Sequence, residues 1–236
     1  MKDLSFQEAI RIVYQESGEV ASLEDREITG YDQYGMYETK WFIEKLYGHK
    51  PLGQLMLVAE NDNLMLIDAM HSFSIADLAI KKSKEFDVYF FIGLLGYQLL
   101  HPDHPGPECE AVVPCLWINV NIQDSLKKET WLPTEAEAVS FLKSRKMKPN
   151  IIINTVSELQ AYWLFKKPFI VNSDATRDEI SKLSDQFQNI LIAEAQIKGW
   201  KIDNTSSILN RQRLPGTWNR ALNPPAPINI LEVQNL

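Results

Sequence analysis

The pattern that most limits the possible folds is the interleaving of short, β-rich apolar runs with windows of helical periodicity. "GQLMLVAENDNLMLIDAM" (53–70) reads as a hairpin around the polar turn Glu60 to Asn63, and "DVYFFIGLLG" (87–96) has the continuous apolar character of a central strand. "CLWINVNIQD" (115–124) reads as a short buried strand. "PNIIINTV" and "QAYWLFKKP" are two strands across a polar turn, and "APINILEV" (226–233) closes the series. One helical window precedes them and three lie between them. Residues 5–16 put Phe6, Ile10 and Val13 on one face, with Ser5 and Glu8 in capping-box spacing. Residues 74–84 turn Ile75, Leu78 and Ala79 inward, and 134–144 start at the cap Thr134 with Ala136, Val139 and Leu142 on the buried side. A long helix runs over 174–199 and ends at glycine. Such interleaving suggests a layered α/β or α+β domain, and the reading adopted is α+β, a mixed sheet packed with helices.

Residues 1–50 read as an N-terminal helical and aromatic extension packed on a core of residues 51–236. Tyr31, Tyr34, Tyr37, Trp41, Phe42 and Tyr47 fit packing better than base stacking. The start has no apolar run of signal-peptide length and no window approaches a membrane span, so a cytoplasmic location without membrane association is expected. Cys109 and Cys115 are too few for a disulfide framework and lack zinc-site spacing. His101, Asp103 and His104 sit in the Pro-rich "HPDHPGPE" turn without an obvious further ligand, so no metal site is expected there.

The net charge of −7 argues at first against an acidic partner, but the mean hides an asymmetry. Residues 1–110 hold 9 Lys and Arg against 19 Asp and Glu, and residues 111–236 hold 15 against 12. An anion-binding surface therefore belongs to the second half. Its basic clusters are Lys127 and Lys128; Lys143, Arg145, Lys146 and Lys148; Lys166 and Lys167; and Arg211, Arg213 and Arg220.

Asn119 and Asn121 in "LWINVN" point to one side of their strand, because side chains alternate along an extended chain. The landmarks from "DVYFFIGLLG" through "LWINVN" and "AYWLFKKP" to "RLPGTWNR" behind "GWKID" resemble the archaeo-eukaryotic primase superfamily, in its phage and plasmid primase-polymerase version. The resemblance covers about 60% of the chain, residues 87–233, and implies an RRM-like sheet with a nucleotidyl-transfer site. Active members carry two acidic metal ligands where this chain has Asn119 and Asn121. The family's phosphate-binding histidine corresponds to Gln160, and Val156, Ser157 and Glu158 replace its glycine-rich turn. Asp203 matches a third acidic position and is a possible remnant ligand, while Ser207 and Asn210 stand where a further acid and an arginine are usual. Arg213, Pro215, Gly216, Thr217, Asn219 and Arg220 match the last motif, which serves either as a phosphate-gripping segment or as a turn that orders the sheet.

The implied reading is a catalytically inactive primase-polymerase-like domain that binds nucleic acid, DNA in preference to RNA, or a nucleotide, and that can work beside a protein partner in a larger complex. Arg213, Arg220, Asn219, Lys143, Arg145 and Lys146 are its candidate nucleic-acid or phosphate contacts. No cofactor or bound metal is expected. One alternative is an active nucleotidyltransferase that uses magnesium or manganese on relocated ligands, Asp124, Asp203 and Glu158. The other is a protein-interaction adaptor with no nucleic-acid role.

Overall fold

The computed structural model describes residues 30–48, 51, 53–59, 63–96, 111–123, 131–207 and 210–233. The helix expected over 5–16, the "HPDHPGPE" turn with Cys109, and Asp124, Lys127 and Lys128 lie outside them. In chain order the elements are α1 (Gly30–Tyr47), β1 (Gln54–Ala59), β2 (Asn63–Asp68), α2 (Ser72–Ser83), β3 (Tyr89–Phe91), β4 (Leu94–Leu95) and β5 (Ala111–Asn121). Then follow α3 (Glu135–Lys143), β6 (Ile151–Asn154), β7 (Glu158–Val171), α4 (Asp174–Ile197), β8 (Arg211–Arg213), β9 (Trp218–Asn219), β10 (Ala226–Pro227) and β11 (Asn229–Val233).

The fold is α+β. One large sheet has the order β11-β6-β7-β5-β4-β1-β3-β8, with β2 on β1 and a separate β9–β10 pair. Every pairing among the described residues is antiparallel, where a mixed sheet was expected. The reason is local: β6 runs in the direction of β5, but its hairpin partner β7 lies between them.

The helix ends follow their caps. Thr134 and Glu137 form a reciprocal capping box at α3, and Ser173 and Thr176 form one at α4, each supplying partners for first-turn N–H groups at about 1 kcal/mol. On α3 the buried stripe is Ala138, Phe141 and Leu142, with Ala136 exposed and Val139 half-buried. The bulk of Phe141 sets the face, which the stripe expected through Ala136 and Val139 had left out.

The run expected as one central strand is broken at Ile92–Gly93 into β3 and β4. Both halves pair with β1 on the same side, with a shift of register between them. On the opposite side β4 carries β5 and β3 carries β8. The break thus sets β5 and β8 on the same flank of one interrupted strand. A second irregularity falls between Val113 and Cys115, where Phe165 to Pro168 of β7 bulge opposite Pro114. Proline has no N–H to give the ladder there.

The sheet buries both faces. One carries Phe42, Ile43 and Leu46 of α1 and Ile75 and Ala79 of α2 against Leu57, Phe90, Trp117, Ile153 and Tyr162. The Phe42 ring meets Phe90 and Tyr162 edge-on, both at 5.5 Å. On the other face Phe141 and Leu142 of α3 and Leu191 and Ala195 of α4 cover Ile118, Val120, Leu159 and Ala161. Helix α1 runs antiparallel to α2, tied by Lys84 to Asp32 at one end and Ser72 to Glu44 at the other. No helix among the described residues is long and apolar enough to cross a membrane.

Candidate functional site

Along β5, Leu116, Ile118 and Val120 face α3 and α4, and Trp117 faces the α1 side. Alternation then puts Asn119 and Asn121 on the Trp117 face. The β5–β7 register sets Asn119 opposite Gln160 and Asn121 opposite Glu158, so four polar side chains share one patch of sheet. The spacing in sequence puts Asn119 and Asn121 on one face, and the register brings Gln160 to them.

These groups are bonded mainly to one another. Tyr162 donates its hydroxyl to Gln160 Oε1 at 3.1 Å, and Gln160 Nε2 donates to Glu158 Oε1 at 2.9 Å. The Asn119 amide opposes the burial of Glu158 from across the ladder, and its own buried Oδ1 has no hydrogen bond. Gln160 is only 1% exposed, so both ends of its amide are held inside this relay. Burial raises the Glu158 carboxyl above the usual range, against the opposing pull of the Gln160 bond, the Arg213 charge and the Asn119 amide.

The turn before β7 keeps an unusual backbone without glycine. Val156 sits at φ 75°, in the left-handed region, and its N–H donates to Asn154 Oδ1 at 2.6 Å. The turn is closed by Thr155 N donating to the Glu158 carbonyl at 3.0 Å, and it is held to the sheet by Ile122 N donating to the Ser157 carbonyl at 3.1 Å.

The "RLPGTWNR" segment crosses to this turn from the far side. Arg213, opposite Tyr89 on β3, stacks its guanidinium 4.8 Å over that ring and forms an ion pair with Asp87. Asp87 also accepts from the Arg220 backbone N–H at 2.9 Å, while Arg220 Nε donates to the Ser83 carbonyl at 2.6 Å. Asn219 is buried and donates to the Thr155 carbonyl at 2.7 Å, tying the segment to the left-handed turn. Gly216, at φ 85°, meets Gly35 of α1: a Cβ on Gly216 would lie 2.1 Å from the Gly35 carbonyl oxygen, and one on Gly35 would lie 2.3 Å from that of Gly216. Thr39 on the next turn of α1 donates to the Pro215 carbonyl at 2.6 Å. Arg213, Asn219, Arg220 and the Pro-Gly turn thus all have partners inside the fold.

The remaining candidates lie elsewhere. Lys143 at the end of α3 pairs with Glu232 at 2.7 Å, and Arg145 just past it pairs with Glu194 and lies 4.0 Å over Phe141, both on the opposite face of the sheet. Lys146 is exposed. Asp203 is exposed too, on a stretch held to α4 by Asn204 donating to Asp185 and Thr205 N donating to Gln188. Two residues on, the Thr205 carbonyl accepts from Trp117 Nε1 at 2.9 Å.

The donor set does not fit a pair of divalent cations. Among the described residues no three His, Cys, Asp or Glu side chains are grouped to hold a metal ion. The strand pair itself offers one carboxylate, already hydrogen-bonded and biased toward its protonated form. Sequence reasoning did not single out Asp87, Tyr89 or Gly35; Asp87 precedes a strand and Gly35 lies within a helix, neither with a motif of its own.

No protein-family model matches this chain, and no curated protein matches it. Among solved structures, the chain is similar to the AEP domain of the primase-polymerase of cyanophage S-2L, at 15% identity and a TM-score of 0.46, over 83% of this chain and 89% of that one.

Proposed function

We propose that this chain is a primase-polymerase-like domain without nucleotidyl-transfer chemistry, and that it binds nucleic acid, DNA in preference to RNA, or a nucleotide. The observation that carries the reading is the amide-lined strand pair, in which Asn119, Asn121 and Gln160 surround the single carboxylate of Glu158. Two-metal phosphoryl transfer asks for ionised carboxylates that compensate the dications while they clamp the attacking and leaving oxygens. Neutral amides supply no such charge, and their substitution costs several powers of ten in rate where electrostatics supplies most of the catalysis. Support also comes from the motif matches, which lie on β5, β7 and the segment after β8 and meet through Asn219 at the Thr155 carbonyl.

The test is a binding assay and a primer-extension assay on one preparation, with and without magnesium or manganese. The expected result is binding that weakens steeply with salt and no nucleotide incorporation. Metal-dependent incorporation that is abolished by Asp203→Ala would overturn the reading in favour of an active enzyme with relocated ligands. No binding to single-stranded, double-stranded or primer-template DNA or RNA at low salt would overturn it in favour of a protein-interaction module.

A further inference from the structure

The second half of the chain carries more cations than anions, yet the structure divides its basic clusters in two. Lys143 and Arg145 are neutralised by Glu232 and Glu194. Lys146, Lys148, Lys166 and Lys167 are all exposed, and none makes a hydrogen bond or ion pair among the described residues.

Backbone geometry brings these four lysines to one stretch of the sheet, around the middle of β7. Lys166 and Lys167 ride on the β7 bulge that forms opposite Pro114. Lys146 and Lys148 lie on the segment that leads into β6, and three bonds stitch that segment to β7. Trp163 Nε1 donates to the Met147 carbonyl at 3.0 Å, Asn150 N donates to the Tyr162 carbonyl at 2.7 Å, and Leu164 N donates to Asn150 Oδ1 at 2.8 Å. The two segments are therefore joined at Asn150, with Lys146 and Lys148 just ahead of that junction and Lys166 and Lys167 just past Leu164 on its other side. The bulge end of β7 is also the end opposite the Glu158–Gln160 patch, so this surface is separate from the candidate site.

We infer that Lys146, Lys148, Lys166 and Lys167 form a contact surface for the sugar-phosphate backbone of a nucleic acid. The inference rests on the nucleic-acid reading above and adds a location to it. Lysine ammonium groups are mobile point charges that bind phosphates without demanding one geometry, which suits a sequence-independent contact. Unpaired cations gain more from an anionic polymer than paired ones, because no internal ion pair has to break.

The test is fluorescence anisotropy with labelled single- and double-stranded DNA of mixed sequence across a potassium chloride series. The variants are the combination of Lys146→Gln, Lys148→Gln, Lys166→Gln and Lys167→Gln, and the matching set of arginine replacements. The expected result is tenfold or greater weakening for the glutamine set at low salt, with the slope of log affinity against log salt shallower by about 3, since each contact contributes roughly 0.7–0.9. The arginine set keeps the wild-type slope. Wild-type binding that is unchanged in the glutamine set would overturn this inference and leave the proposed function standing. Failure of the wild-type chain to bind any nucleic acid would overturn both, and binding to phosphatidylserine vesicles alone would reassign the patch to a membrane surface.

Discussion

Gly35→Ala is the sharpest probe of how the "RLPGTWNR" segment is held. In an isolated helix this change is favourable by about 1 kcal/mol, because alanine has the higher helix propensity. Here the new Cβ would lie 2.3 Å from the Gly216 carbonyl oxygen and 3.1 Å from Ile80 Cδ1. A carbon-to-oxygen contact needs ~3.3 Å, so α1 and the turn must separate by about 1 Å. The Thr39 to Pro215 hydrogen bond, now 2.6 Å, joins the same two elements and is stretched past its useful range. Overpacking costs roughly 1–3 kcal/mol and a broken buried hydrogen bond roughly 1–3 more. Set against the helical gain, the net loss is about 3 kcal/mol, or roughly 6–12 °C in Tm for a chain of this size. Urea denaturation followed by tryptophan fluorescence reads it directly. A Gly35→Ala protein as stable as the parent, or more so, would refute the close packing as the reason for glycine at both positions.

Glu38 on α1 is fully buried, and burial raises its carboxyl to about 8, against the lowering effect of the Ile230 N–H bond. A folded-state value above the unfolded one means that this group's contribution is fully present below about 4.5 and is lost as pH rises through about 8. Stability should fall with pH across that window at up to about 1.4 kcal/mol per unit from this group, and Glu38→Gln should remove the slope in denaturation at pH 5 to 8. Val156 is 43% exposed and sits at positive φ, so Val156→Gly should relieve about 1–2 kcal/mol of backbone strain, less roughly 0.5–1 for glycine's greater unfolded freedom. A rise of about 0.5–1 kcal/mol in thermal denaturation is expected, and a clear loss would contradict a strained turn.

Much of the fold was legible because local signals and tertiary packing agree. The hairpin of β1 and β2, the capped start of α3, the span of α4, and the antiparallel neighbours "PNIIINTV" and "QAYWLFKKP" stand where composition, caps and periodicity put them. The break at Ile92–Gly93 was not legible, since one glycine in an apolar run signals a bulge as weakly as it signals close packing. At the candidate site, the spacing of Asn119 and Asn121 on one face followed from strand geometry, and their alignment with Gln160 and Glu158 required the register. The roles of Asp87 and Gly35 are set by neighbours far away in sequence, and no pattern in a single chain encodes such pairs.

The contact between Gly35 and Gly216 also has a mechanical meaning. Two backbones that touch with no side chain between them have no slack, so displacement of one is transmitted to the other rather than absorbed by rotamer changes. From Gly216 the chain runs three residues to Asn219, whose amide grips the turn that carries Val156, and that turn leads directly into Glu158 and Gln160. Helix α1 is therefore joined to the turn ahead of the polar strand pair by one backbone contact and one buried hydrogen bond.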